Sequence, residues 1–272
     1  MSLYFCSLAS GSSGNCQYIA SDTTGLLLDA GLSGKYIHKS LEDIQANISH
    51  IKALFITHEH SDHIKSAGIL MRKYKLNLYV TALTYEKIAS KLGKYSEDQI
   101  VIIEKNKKFL VGDIWVEAFS VSHDAVDAVA YTFLKDENTI GIITDLGYVP
   151  YDVLDKMRSC NLLMLEANHD VGMLNAGPYP YPLKRRILSE KGHISNEAAA
   201  EAIVNILSLE SSLGHVILGH LSQDNNTPAL AYETVKAILE ANNLVVGEDI
   251  GLDLAYRNRV GKLYQIGDIK LC

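Results

Sequence analysis

Residues 53–64 read ALFITHEHSDHI, an apolar strand-like run that stops at Thr57 and is followed at once by His58, His60, Asp62 and His63. Neutral imidazole and carboxylate oxygen are good ligands for divalent metals such as zinc, manganese and iron. In an extended or turning segment, residues i and i+2 can point the same way, so His58 and His60 can share one ion. Asp62 and His63, turning into a following helix, can reach a second. A fold that carries this segment must therefore present the end of a buried strand at an open rim. The competing explanation is a polar turn with incidental histidines. The helical zinc motif HExxH is begun by His58-Glu59 but fails, because Asp62 stands where the second histidine belongs and the segment leaves a strand.

Three later segments end in the same way. WVEAFSVSHD places His123 just past a strand, NTIGIITD ends with Asp145, and HVILGHLS contributes His220. Taken alone, each is as readily a solvated residue at a strand end. Together they complete two coordination sets: His58, His60 and His123 for one ion, Asp62, His63 and His220 for the other, with Asp145 bridging. Two ions about 3.5–4 Å apart would activate a bridging water as hydroxide and stabilise charge on the attacked group. Hydrolysis follows more naturally from such ligands than redox chemistry.

The remaining chain supplies a scaffold for that rim. Strand patterns fall at Leu3–Leu8, Gln17–Ala20, Gly25–Leu28, Lys52–Thr57, Leu78–Val80, Gln99–Ile103, Phe109–Val121, Ala128–Leu134, Thr139–Thr144 and His215–Leu218. Helices are predicted from Ser33 to about Ala46, after His63, from Thr84 to Leu92, over Glu197–Leu207 behind Ser195, and from Thr227-Pro228 to about Ala241. With 47% apolar residues in 272 the core can be substantial, and the interleaving suggests helices covering the outer faces of two packed sheets. No linker divides the chain. No apolar run approaches the ~18 residues of a membrane span, and the first residues lack the pattern of a secretory leader. Cys6, Cys16, Cys160 and Cys272 show no paired spacing and read as reduced thiols of a cytoplasmic protein. The net charge of −7 excludes nucleic-acid binding by bulk attraction, so any such role rests on a local basic surface or on bound metal.

HEHSDH resembles the HxHxDH signature of the metallo-β-lactamase fold superfamily, and His123, Asp145 and His220 follow in the order of that family's remaining ligands. The resemblance implies an α+β fold, the four-layer αβ/βα sandwich, with its metals at the rim between two sheets. Asp29 in LLLDAG is similar to a family aspartate that steadies the metal-binding loop from behind the ligands, although it could merely close a strand at a turn. The family's di-iron oxygen reductases carry HxExDH. His60 at that position favours a hydrolase. SLASGSSGNC, LEANHD, GHISNEAAA and GHLSQDNNTPALA resemble the YycJ (WalJ)-like group along essentially the whole chain, which implies a nuclease associated with 5′-to-3′ exonuclease action on DNA. The stretch between Asp145 and His220 is too short for the large β-CASP insertion of related nucleases, so residues 1–272 are expected to form a single metallo-β-lactamase-fold domain.

Several residues then suit phosphodiester chemistry. Lys184, Arg185 and Arg186 follow the PYPYP loop and offer one compact basic patch for phosphate oxygens, or simply a solvated helix face. His193, just before a helix start, is placed to bind phosphate or to protonate the leaving oxygen, or to sit in a capping region. His169 is a second candidate proton donor or phosphate contact, or a rival metal ligand, and Glu166 can orient a neighbour. The expected function is a dinuclear metal-dependent phosphodiesterase acting as a DNA exonuclease, with two divalent ions of zinc, manganese or iron and Asp62, His193 and His169 as catalytic candidates. Its rivals are a hydrolase of small esters, thioesters or cyclic phosphodiesters on the same site, and a metal-binding regulatory protein without turnover.

Overall fold

A computed structural model of the chain describes residues 2–267; Cys272 lies outside the described residues. The chain first lays down β1 (Leu3–Ala9), β2 (Cys16–Ser21), β3 (Gly25–Leu28), β4 (Ile51–Phe55), β5 (Asn77–Val80) and β6 (Ile100–Ile102). It then crosses to a second sheet built from β7 (Lys108–Val111), β8 (Ile114–Ser120), β9 (Val129–Lys135), β10 (Asn138–Ile143), β11 (Leu162–Glu166), β12 (His215–Gly219) and β13 (Gly251–Leu254). The last strand, β14 (Tyr264–Ile266), returns to pair with β1. Both sheets are seven-stranded, ordered β14-β1-β2-β3-β4-β5-β6 and β13-β12-β11-β10-β9-β8-β7.

Side chains alternate between strand faces, and the apolar runs of this chain are sorted accordingly. Leu26 and Leu28 point between the sheets, with Phe5, Phe55, Tyr131, Phe133 and Met164, whereas Leu27 faces outward. In the other sheet Leu162 and Met164 point inward while Leu163 and Leu165 face outward. Phe55 ties the inner layer together, edge-on to Tyr131 at 5.5 Å and to Phe133 at 5.8 Å between centroids. Each such fully buried side chain stabilises the fold by about 1.5–3 kcal/mol.

Helices cover both outer faces. The first sheet carries α1 (Gly34–Asp43), α2 (Ser61–Ile64), α3 (Ala67–Tyr74) and α4 (Ala82–Ile88). The second follows with α5 (Tyr151–Arg158), α6 (Val171–Ala176), α7 (Tyr181–Ile187), α8 (Asn196–Leu207) and α9 (Pro228–Ala241). Ile37, Leu41, Leu70 and Met71 complete the outer core of the first sheet, and Val153, Ile203, Ile206 and Val235 that of the second. The result is the α+β four-layer αβ/βα sandwich. None of the helices of the described residues is long and apolar enough to cross a membrane. Cys6, Cys16 and Cys160 are free and buried.

The caps act where the sequence puts them. Ser33, Ser195 and Thr227 each accept a hydrogen bond from the backbone N–H three residues on. Most expected elements are present with ends shifted by one to four residues, as in β4 and α4, and two departures have a visible cause. The first helix stops at Asp43 rather than Ala46, because Gln45 adopts φ 56°. The expected strand Phe109–Val121 is a hairpin, broken at Gly112, whose φ is 62°. A Cβ there would lie 2.1 Å from Thr24 Oγ1, where this turn abuts the one between β2 and β3.

Candidate metal centre

Strands β3, β4 and β5 run parallel, as do β10, β11 and β12, and β8 shares the direction of β10 through the antiparallel β9. Within each sheet the strands that precede candidate residues therefore end on the same side, and the ligand atoms beyond them meet at one rim. Chain leaving β4 delivers His58, and His60 opens α2, which holds Asp62 and His63. The ends of β8, β10, β11 and β12 deliver His123, Asp145, Glu166 and His220. Asp29, Asp145 and His220 all sit at left-handed φ, 62°, 58° and 53°, a conformation that disfavours non-glycine residues and persists only where the surroundings impose it.

The potential ligand atoms converge. Those of His58, His60 and His123 lie within 4.8 Å of one another, and so do those of Asp62, His63 and His220. Asp145 lies between the two groups: its Oδ1 is 3.8 Å from His123 Nε2 and 3.5 Å from His220 Nε2, and its Oδ2 is 3.5 Å from His63 Nε2. Asp145 Oδ2 and His220 Nε2 are buried without a hydrogen-bond partner among the described residues. Unpaired buried polar atoms are costly, and here they belong to a set of nitrogen and oxygen donors that suits borderline divalent cations. The residues present fit such ions.

Electrostatics hold several donors in binding form. Burial, reinforced by neighbouring imidazoles, lowers the His58 pKa and keeps that ring neutral. Burial works against ionisation of Asp145, yet the imidazoles of His220, His63 and His123 hold its carboxyl below the usual range. Behind the donors stand two buried carboxylates. Asp29 accepts from the Thr57 backbone N–H at 2.9 Å and faces His63 Nδ1 at 2.8 Å. Glu166 Oε1 faces both His193 Nδ1 at 2.7 Å and His220 Nδ1 at 2.8 Å, and its Oε2 accepts from the Leu146 N–H at 3.1 Å. With Nδ1–H held this way, Nε2 of His220 is left for the centre, while Nε2 of His63 faces both the centre and the Asn15 side-chain amide, at 3.1 Å from Asn15 Nδ2.

His193 joins the rim, its ring 5.1 Å from that of His123 and 5.3 Å from that of His220. Burial works to lower its pKa, but the Glu166 carboxylate and Asp145 raise it to about 9. His169 is buried with neither ring nitrogen partnered among the described residues, and burial lowers its pKa. It joins none of the ligand groups.

The three cations expected as one patch have separate partners. Lys184 donates to the Asn175 carbonyl at 2.7 Å, and the Arg185 guanidinium lies 5.9 Å from the Tyr181 ring centroid. Arg186 pairs with Asp124, which lies 3.2 Å from His123 Nε2, so it is the cation tied to the rim. Successive helix positions diverge by about 100°, which is why a run of three cannot share a face.

Sequence reasoning missed an amide network. Asn226 Nδ2 donates to the carbonyls of Ala167 and Asn168 and to Asn196 Oδ1, and Asn168 Nδ2 donates to the His220 carbonyl. It locks together the segments LEANHD, GHISNEAAA and GHLSQDNNTPALA. The signal was present as asparagines in each of them.

The chain matches the family model described as Beta-lactamase superfamily domain over residues 24–215. It is 42% identical over 248 residues to Exodeoxyribonuclease YycJ of Bacillus anthracis, covering 91% of this chain and 93% of that protein. Exodeoxyribonuclease WalJ of Streptococcus pneumoniae is 43% identical over 244 residues, 89% of this chain and 90% of the relative. Among solved structures, the metallo-beta-lactamase fold protein YhfI from Bacillus subtilis superposes with a TM-score of 0.73 at 15% identity, covering 97% of this chain and all of that one, a likeness of fold.

Proposed function

The chain belongs to the beta-lactamase superfamily domain family and, within it, to the YycJ/WalJ group of metallo-β-lactamase-fold proteins, and on that premise we propose that it shortens DNA from the 5′ end. It is a metal-dependent hydrolase of phosphodiester bonds. The finer reading is that two divalent cations share the centre, that a single domain without a β-CASP insertion does the work, and that the enzyme acts on DNA in the cytoplasm. The observation that carries it is the position of Asp145 between the His58–His60–His123 and Asp62–His63–His220 groups, with His193 on the same rim.

His58, His60 and His123 would hold one cation and Asp62, His63 and His220 the other, with Asp145 between them. When bound, the cations supply Lewis-acid activation of water and neutralise charge on the phosphate oxygens. The chain's own residues do the rest. Asp29 and Glu166 fix the rings of His63 and His220. Glu166 also holds His193 protonated near neutrality, so His193 donates its proton to the leaving 3′ oxygen. We assign that proton to His193 because burial keeps His169 neutral. Arg186 and Asp124, beside His123, border the path of the substrate phosphate.

The test is digestion of end-labelled single- and double-stranded DNA by metal-stripped protein, with manganese, zinc or iron restored and Asp62→Ala as the control. Metal-dependent, stepwise loss from the 5′ end that disappears in the variant is the expected result. Protein that binds two ions yet cleaves no DNA overturns the reading in favour of small esters or cyclic phosphodiesters.

A further inference from the structure

Between Asp253 and Asp268 the sequence holds Arg257, Arg259 and Lys262 and no acidic residue, in a chain of net charge −7. This segment leaves β13 beside the metal centre. The Tyr256 carbonyl accepts from the Ser10 N–H at 2.9 Å, and Ser10 Oγ accepts from the His220 N–H at 2.8 Å. Arg257 crosses the junction, donating to the Leu221 carbonyl at 3.1 Å, to Gln223 Oε1 at 3.1 Å and to Ser12 Oγ at 3.4 Å. Arg259 is exposed and its guanidinium stacks 3.5 Å from the centroid of Tyr256. Among the described residues the arginines paired with carboxylates are Arg158 and Arg186, not these two. The nearby Asp224 carboxylate accepts from the Tyr179 hydroxyl at 2.7 Å. A cavity of about 220 Å³ opens here, lined by Ser10, Ser222, Gln223, Arg257 and Asn258 among others, and no carboxylate lines it.

We propose that this ledge, the turn 10–14 together with residues 256–259, carries the phosphodiester backbone of the DNA strand next to the phosphate being cleaved. The proposal rests on the nuclease reading above. Guanidinium forks and neutral hydroxyl and amide donors, around a cavity that no carboxylate lines, match phosphate oxygens. A polyanion whose reacting phosphate lies at the metal centre passes His220 and meets Arg257 and Arg259 next. The local cationic surface also resolves how so acidic a chain holds nucleic acid.

Anisotropy of a fluorescent, phosphorothioate-linked single-stranded oligonucleotide, which resists hydrolysis, tests this with metal-loaded protein over a series of salt concentrations. Arg259→Glu is expected to weaken binding about tenfold at low salt and to flatten the salt dependence by about 0.7 log unit per log unit for each phosphate that the variant no longer neutralises. Lys108→Glu, on β7 at the opposite edge of the same sheet, makes the same charge change and is expected to bind as wild type does. Thermal melts check folding, and Arg259→Gln replaces the glutamate variant should that one fail to fold. Equal affinity and equal slope for wild type and the Arg259 variants overturn the ledge and leave the nuclease reading standing. Binding that Arg259→Glu weakens, in a protein that cleaves no DNA, overturns the exonuclease and, with it, the ledge's place beside a cleaved phosphate. Wild type that binds no oligonucleotide overturns both.

Discussion

Nδ1 of His193 lies 2.7 Å from Oε1 of Glu166, the same oxygen that faces Nδ1 of His220 at 2.8 Å. One buried carboxylate thus orients a candidate proton donor and a candidate metal ligand together. Glu166→Gln keeps the shape but removes the charge, and activity is expected to fall about 10–100-fold. The loss should appear in kcat more than in KM, with the alkaline limb of the pH–rate profile moved to lower pH. A kcat and pH profile equal to wild type would refute the role.

Asp29 does the corresponding task for the other side of the centre. Its carboxylate accepts from the Thr57 N–H and faces His63 Nδ1. Asp29→Asn places an amide N–H against one of these donors, leaving a buried group unpaired at a cost of about 1–3 kcal/mol. Urea unfolding should show that loss, and metal titration should show affinity reduced about 10–100-fold.

Gly31 is required for close approach rather than for an unusual φ. A Cβ there would stand 1.5 Å from the Asp62 carbonyl oxygen, which already accepts from the Asn15 N–H at 2.8 Å. Gly31→Ala must push α2 and its two candidate ligands away. We expect destabilisation of about 3 kcal/mol or more, read by urea unfolding, together with loss of bound metal in elemental analysis.

Asp113, in the turn between β7 and β8, accepts from Ser21 Oγ at 2.6 Å and pairs with Lys135 at 3.2 Å, clasping one sheet to the other. Burial works against its ionisation, but Ser21, Thr24, Lys135 and Thr23 together outweigh it and hold the carboxyl well below the usual range. A depressed folded-state pKa stabilises above the unfolded value of about 3.9, and that stabilisation is lost as the pH falls further. Asp113→Asn should therefore melt below wild type at neutral pH, by about 1 kcal/mol or less for a pair at the surface. The gap in Tm should close as the pH falls below about 4.

Much of this is legible because chemistry and periodicity coincide in short segments. His58, His60, Asp62 and His63 stand in one run, and His123, Asp145 and His220 each end an apolar strand, so their convergence follows once the strands are parallel. Ser33, Ser195 and Thr227 announce their helices as local caps. Strand β11, LLMLE, is not among the expected strands although its apolar run is strand-sized. Strands β13 and β14 are not legible, since GLDL and YQI are short and owe their conformation to pairing with β12 and β1. The turn at Gly112 hides inside an apolar run, although VGDI carries its signal. Glu166 is legible as a neighbour-orienting residue but not as the shared partner of His193 and His220, because that pairing joins three separate segments.

The centre takes His58, His60, Asp62 and His63 from one sheet and His123, Asp145 and His220 from the other. A cation seated there is a rivet through the sandwich, held by the docked halves and by neither alone. Such binding strengthens the closed state by RT ln(1 + [L]/Kd), about 2.7 kcal/mol at a hundredfold excess over Kd. A chelator should then act on this chain as a mild denaturant. Catalytic competence becomes a certificate of completed folding, since a chain whose two halves have not met has nowhere to keep its metal.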